Sequence, residues 1–307
     1  MNPAIIFTAE HSLHEDHFEK MACLLAYSIR YFHEDINIYC GVFSDKVLTE
    51  RTKERLRQLD VTVVEDIIFK DNTIEHKNYM NRSYCQYYFF KNLLCSHDYL
   101  IYLDIDVVLL KPIDFLEMSK LGGSIITYDY PKEAIYWDNK MIQSETTGIE
   151  ELNIDDKLYF NFIAVINEHN GYIFEDVWKS ILDFDSYNLK FMTGFSKIVE
   201  RSRINRVQNP NFAAWYPNLP VTDDTVFFHY DGLHEAGTLN RLKGRTPLHD
   251  VYVAYIREMG IEIESPGFYF EKIYLNMLKE LVPIFLKNPP GYNKWLKTPE
   301  TTELLRT

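Results

Sequence analysis

Short apolar runs and helical stripes alternate along the first third of the chain. Ala4 to Thr8 is apolar and bounded by Pro3 and the polar cluster Glu10-His11-Ser12, which predicts a buried first strand. From Phe18 to Phe32, Met21, Leu24, Leu25 and Ile29 recur at helical spacing, so this stretch predicts a helix that packs its stripe on a core. Ile36 to Phe43 alternates as a second strand, Thr49 to Leu59 is a charged helix, and Val61 to Val64 is a third strand. This β-α-β-α-β order predicts an α/β fold with a mostly parallel sheet and helices on both faces. A helical segment from Cys85 to Leu94 precedes Tyr99 to Pro112, which reads as one buried strand carrying Asp104 and Asp106 at its carboxyl end.

Further along, Ser124 to Asp129 and Tyr159 to Asn167 predict two more strands, and Val226 to Phe228 is an apolar strand running into His229. Residues 131 to 156 between them are polar and irregular, a length that suits a functional lid or acceptor loop. From Leu248 onward the chain predicts helices at Val251 to Met259 and Tyr269 to Leu286. The expected organisation is a sheet domain over 1–247 and a helical C-terminal extension over 248–307. The extension's broad apolar face is expected to pack on that domain rather than on a membrane, because basic residues are too sparse there for an anionic-lipid patch.

Two anions one residue apart in an apolar run would cost several kcal/mol to bury without a counter-charge, and a divalent cation is the simplest resolution. A second Asp-x-Asp, Asp183 and Asp185, lies in a short polar segment and reads as a solvated turn. His11, His14 and His17 lie close together in loop-like surroundings with no cysteine partner, so they are not read as a metal cluster.

The formal net charge of −13 argues against a nucleic-acid surface, which needs clustered Lys and Arg. An anionic ligand would then require a locally positive or metal-bearing pocket. Four cysteines without Cys-x-x-Cys spacing, Cys23, Cys40, Cys85 and Cys95, are expected to be reduced, buried thiols. The N-terminus has no basic region followed by a long apolar core, and no window approaches eighteen uninterrupted apolar residues. A soluble cytoplasmic enzyme is the expectation.

The run Tyr-Leu-Asp-Ile-Asp-Val-Val-Leu-Leu-Lys-Pro-Ile-Asp resembles the Asp-x-Asp signature of nucleotide-sugar glycosyltransferases of the GT-A fold, a Rossmann-like architecture, and most of all glycosyltransferase family 8, the glycogenin and bacterial galactosyltransferase group. His229 followed by Gly232 resembles that family's His-x-x-Gly element, and Phe160-Asn161-Phe162-Ile163-Ala164-Val165 its Phe-Asn-x-Gly-Val strand. The resemblance implies a hexosyltransferase that moves a sugar from a nucleoside diphosphate-sugar, by analogy a UDP-sugar, to an acceptor hydroxyl of a glycan or other molecule with retention of configuration. It implies Mn²⁺ (or Mg²⁺) held by Asp104, Asp106 and His229. Donor contacts would come from Phe7, Thr8, Ala9, Arg82 or Lys91, Ile105 and Gly232, with phosphate neutralisation from Lys243 or its neighbours Arg241 and Arg245. Asp129, Asn161 and the Asp223-Asp224 pair would lie near the sugar, with Asp129, Asn161 and Asp224 of these assigned to catalysis. Two departures stand out: the family's Asp-Gln pair is missing, and Glu235 replaces a Lys after the His-x-x-Gly. Met192-Thr193-Gly194-Phe195 resembles instead an element of the mannosyltransferase-like family 32. The alternatives are a metal-dependent nucleotide-sugar phosphatase or pyrophosphatase, or an inactive sugar-nucleotide-binding module.

Overall fold

The computed structural model describes residues 1–9, 17–43, 47–67, 78–129, 159–182, 199, 202, 204–208, 210–215, 221–230, 242 and 245–260. Strand β1 (Pro3–Thr8) is followed by helix α1 (His17–Phe32), β2 (Asn37–Phe43), α2 (Glu50–Gln58) and β3 (Val61–Ile67). Helix α3 (Asn78–Leu93) leads to β4 (Tyr99–Leu103), β5 (Val107–Leu109) and the short α4 (Phe115–Lys120). Then come β6 (Ile125–Asp129), β7 (Tyr159–Ile166), α5 (Gly171–Leu182), β8 (Arg206–Gln208), β9 (Ala213–Trp215), β10 (Phe227–His229) and α6 (Leu248–Glu258). Helix α3 starts at Asn78, earlier than the expected Cys85, so Arg82 lies within it.

Seven strands form the central sheet in the order β3-β2-β1-β4-β7-β6-β8. The pairs β1–β2, β2–β3, β1–β4 and β6–β8 are parallel, whereas β7 runs antiparallel to both β4 and β6. The sheet is thus mostly parallel and flanked by helices, the Rossmann-like arrangement of the GT-A fold. Alternation along the strands sorts side chains to its two faces. Ile5, Phe7, Ile101 and Leu103 join α1, α2 and α6 in one core. Ala4, Ile6, Leu100 and Tyr102 join α3 and α5 in the other. Each fully buried Ile, Leu or Phe contributes about 1.5–3 kcal/mol, so burial of both faces makes this sheet the rigid platform of the molecule.

Side chains fasten the helices to it. Buried Glu19 in the first turn of α1 accepts hydrogen bonds from the backbone N–H of Thr49 and from the hydroxyls of Thr49 and Thr52, fixing the start of α2 against the start of α1. Arg30 in the last turn donates to the carbonyls of Ile36, Leu59 and Asp60, closing the turns at the opposite edge. Helix α6 belongs to the same core: Tyr252 and Ile256 have no accessible surface, and Tyr255 stacks on Tyr27 with ring centroids 4.1 Å apart. Among the described residues, no helix is long and apolar enough to cross a membrane. The expected helix Tyr269 to Leu286 and the loop 131–156 lie outside the described residues.

A second sheet, ordered β5-β10-β9, pairs β10 antiparallel with β5 and parallel with β9. Its β5 edge is covered: the Leu109 N–H donates to the Ser28 hydroxyl of α1, and its carbonyl accepts from the Tyr252 hydroxyl of α6.

Candidate metal and donor site

The strand order reverses between β1 and β4. From β1 the chain builds outward through β2 and β3, and then β4 returns to the other side of β1. The carboxyl ends of these two strands lie side by side at this switch point, the usual ligand position in open α/β sheets. Thr8 ends β1 and Asp104 follows β4 directly, so both stand at the switch point.

The expectation of a single strand from Tyr99 to Pro112 does not hold. Strand β4 stops at Leu103, and β5, only four residues on, belongs to the other sheet. Between them Asp104 opens a tight turn closed by the Val107 N–H on the Asp104 carbonyl at 3.2 Å. Asp is favoured at the first position of such a turn, and a turn leaves carboxylates partly solvated where a continued strand would have buried them. The two acids therefore sit at the joint between two sheets.

Strand register brings in the third candidate ligand. In the β5–β10 pair, Val107 faces His229, Val108 faces Phe228 and Leu109 faces Phe227, and just beyond the strands the Tyr230 N–H donates to the Asp106 carbonyl at 3.0 Å. His229, 1% exposed, consequently places Nε2 3.0 Å from Asp106 Oδ1. A slip of one residue would turn the imidazole to the other side of the sheet. One ligand atom each from Asp104, Asp106 and His229 lies within 4.8 Å of the others. Two carboxylates with one imidazole form an oxygen-rich set with a single borderline nitrogen, which suits Mn²⁺ and also Mg²⁺.

Two tyrosines that sequence reasoning did not single out border the acids. The Tyr102 hydroxyl donates to Asp104 Oδ1 at 2.9 Å. Tyr230 is fully enclosed, and burial together with the negative charge of Asp106 pushes its hydroxyl well above the ordinary phenol range, so it stays neutral. The spacing of two between Tyr102 and Asp104 was the available signal, since alternate strand residues share a face.

Other candidate residues divide by position. Phe7 has no accessible surface and belongs to the core, so its ring supports β1, whereas Thr8 is partly exposed and the Ala9 N–H donates to the Gly41 carbonyl. Ile105, in the turn itself, is partly buried against the core. Strand β7 starts beside the end of β4, with Leu103 opposite Ile163, and Asp129 pairs with Tyr159, so Asn161 and Asp129 occupy the same edge of the sheet as Asp104. Ile126 faces Ile163 and Tyr128 faces Phe160, so Asn161 and Phe162 together oppose Thr127. This bulge sits at the Asn161 position, a device found beside binding sites. Arg82 lies in the second turn of α3, while Lys91 lies in its last turn, about 14 Å further along the helix, exposed and with its Nζ over the Tyr87 ring. Asp224 is exposed in a turn ahead of β10, at the other end of that strand from His229. Gly232, Lys243 and Arg241 lie outside the described residues, and Arg245 is exposed. Cys23, Cys40 and Cys85 are buried free thiols whose burial pushes their pKa up, but Cys95 is exposed, contrary to expectation, because it falls in the turn after α3.

No family model and no curated relative matches the chain. Among solved structures, the apo form of WbbM, a bifunctional glycosyltransferase, shares the fold at 14% identity and a TM-score of 0.50, over 83% of this chain and 49% of that one. The chain spans about half the length of that protein. At this identity the likeness concerns the fold, and the chemistry rests on the site.

Proposed function

We propose that the protein is a metal-dependent glycosyltransferase that moves a sugar from a nucleoside diphosphate-sugar, a UDP-sugar by analogy with family 8, to an acceptor hydroxyl with retention of configuration. One observation carries the reading: Asp104, Asp106 and His229 converge at the carboxyl edge of the sheet, where the strand order reverses. A fold shared with a solved glycosyltransferase supports it.

Asp104, Asp106 and His229 would hold the divalent cation. When bound, the cation supplies Lewis-acid neutralisation of the departing diphosphate. The chain's own residues then have three tasks. Thr8, partly exposed at the end of β1, takes the base side, with Ala9 buried behind it and tied to the Gly41 carbonyl. Arg82, near the N-terminus of α3, adds positive charge where the helix dipole already favours an anion. Asp129 and Asn161, at the strand edge on the side of β4 away from β1, would hold sugar hydroxyls as charge builds on the ring. Asp224, exposed ahead of β10, has no part in this scheme.

Calorimetric titration of UDP, with GDP as comparison, tests the reading in Mn²⁺ and in chelator. Metal-dependent UDP binding that vanishes in Asp106→Ala is the expected result. Binding that is unchanged in the variant, or absent in the wild type, sinks it. A screen of UDP-hexoses against acceptor sugars, followed by ¹H NMR of the product anomer, tests transfer and retention. Release of phosphate or UMP without a glycosylated product would favour a hydrolase instead.

A further inference from the structure

We propose that Tyr102 is a positioning residue that sets the rotation of the Asp104 carboxylate and so tunes the affinity of the metal site; this rests on the assignment of Asp104 as a metal ligand. Tyr102 occupies the penultimate position of β4, between Ile6 of β1 and Ala164 of β7, and is 2% exposed. Its ring is packed in the core with Phe89 and Phe174 on the α3/α5 side of the sheet. Phenylalanine would satisfy that packing equally well. The hydroxyl is what phenylalanine lacks, and it donates to Asp104 Oδ1 at 2.9 Å.

A carboxylate at the mouth of a turn rotates freely about its Cβ–Cγ bond unless something holds it, and Asp104 retains partial exposure. Tyr102 is a rigid post: its backbone is locked in the centre of the sheet and its ring is fixed by packing, so the hydrogen bond ties the acid to the platform. Partners of this kind behind a metal ligand typically change affinity 10–100-fold when removed. A hydrogen bond from a neutral phenol also leaves the ligand charged, as a divalent cation requires.

Tyr102→Phe tests the proposal, with Mn²⁺ alone as the probe and free Mn²⁺ counted by electron paramagnetic resonance. The Mn²⁺ dissociation constant should rise about tenfold while the melting temperature of the metal-free protein stays unchanged. Saturating Mn²⁺ should restore UDP affinity to the wild-type value, a rescue that a general packing defect would not permit. In an Asp104→Ala background, Tyr102→Phe should have no further effect on Mn²⁺. An unchanged dissociation constant in Tyr102→Phe, or an equal loss in the Asp104→Ala background, overturns the proposal. If wild type binds Mn²⁺ and Asp106→Ala does not, the metal-site assignment survives that failure. If wild type binds no Mn²⁺, both fall.

Discussion

One enclosed and one half-buried side chain show how single polar atoms are handled. The Tyr230 hydroxyl is enclosed and makes no hydrogen bond among the described residues. A buried donor without a partner costs roughly 1–3 kcal/mol of desolvation. Tyr230→Phe should therefore leave stability unchanged or raise it, as read from the urea midpoint; a loss above 1 kcal/mol would mean that the hydroxyl is held by something else. His33 is the opposite case. Its Nε2 accepts the Ile113 N–H at 2.8 Å, and burial, aided by nearby Arg30, lowers its pKa below the ordinary value of about 6.5. Below that value the unfolded chain takes up a proton that the folded imidazole refuses, so the unfolded state binds more protons and stability falls as the pH drops. The contribution is complete above about 6.5 and is lost downward toward the folded pKa. His33→Gln should flatten the fall in urea midpoint between pH 7.5 and 5.5, and parallel curves for the two proteins would refute this.

At the scale of elements, close packing between β2 and α3 is set by one glycine. A Cβ on Gly41 would stand 2.7 Å from Cys85 Sγ and 3.0 Å from both Ile67 Cδ1 and Phe89 Cε2. Since these neighbours are themselves buried, Gly41→Ala should cost about 1–3 kcal/mol in urea denaturation. It should also weaken UDP binding, because the Gly41 carbonyl accepts the Ala9 N–H at the end of β1. A variant as stable as wild type would show that α3 can move away. Elements of this size were legible in the sequence because their patterns are long: the apolar run of β1, the alternation of β2 and the stripe of α1 each span several residues. The second sheet was legible only at β10, read from its apolar run into His229; β5 and β9 have three residues each, too few for any period to register. That is why the Asp-x-Asp segment reads as one strand although it bends between two. The three candidate metal ligands were nevertheless legible as a set, because acids set inside an apolar run and a histidine ending another are local signals. Tyr102 was hidden for the converse reason: a tyrosine in a strand looks like core until its hydroxyl is seen on Asp104.

For the molecule as a whole, a ligand that binds only the folded chain must stabilise it. At a concentration of one hundred times its dissociation constant, Mn²⁺ should add about 2.7 kcal/mol, a rise of several degrees in melting temperature, and Asp106→Ala should abolish the rise. A shift that persists in the variant would place the cation elsewhere on this acidic surface. The joint between the sheets gives that prediction a second meaning. Asp104 leaves the large sheet, Asp106 enters the small one, and His229 arrives from a strand far along the chain. An ion shared by the three would rivet two layers at their seam and close a long loop of chain in the process, as a reversible cross-link does. Each departure of the cation would then loosen the seam itself, so release of the ion and the mechanical coupling of the two sheets would share one fastener.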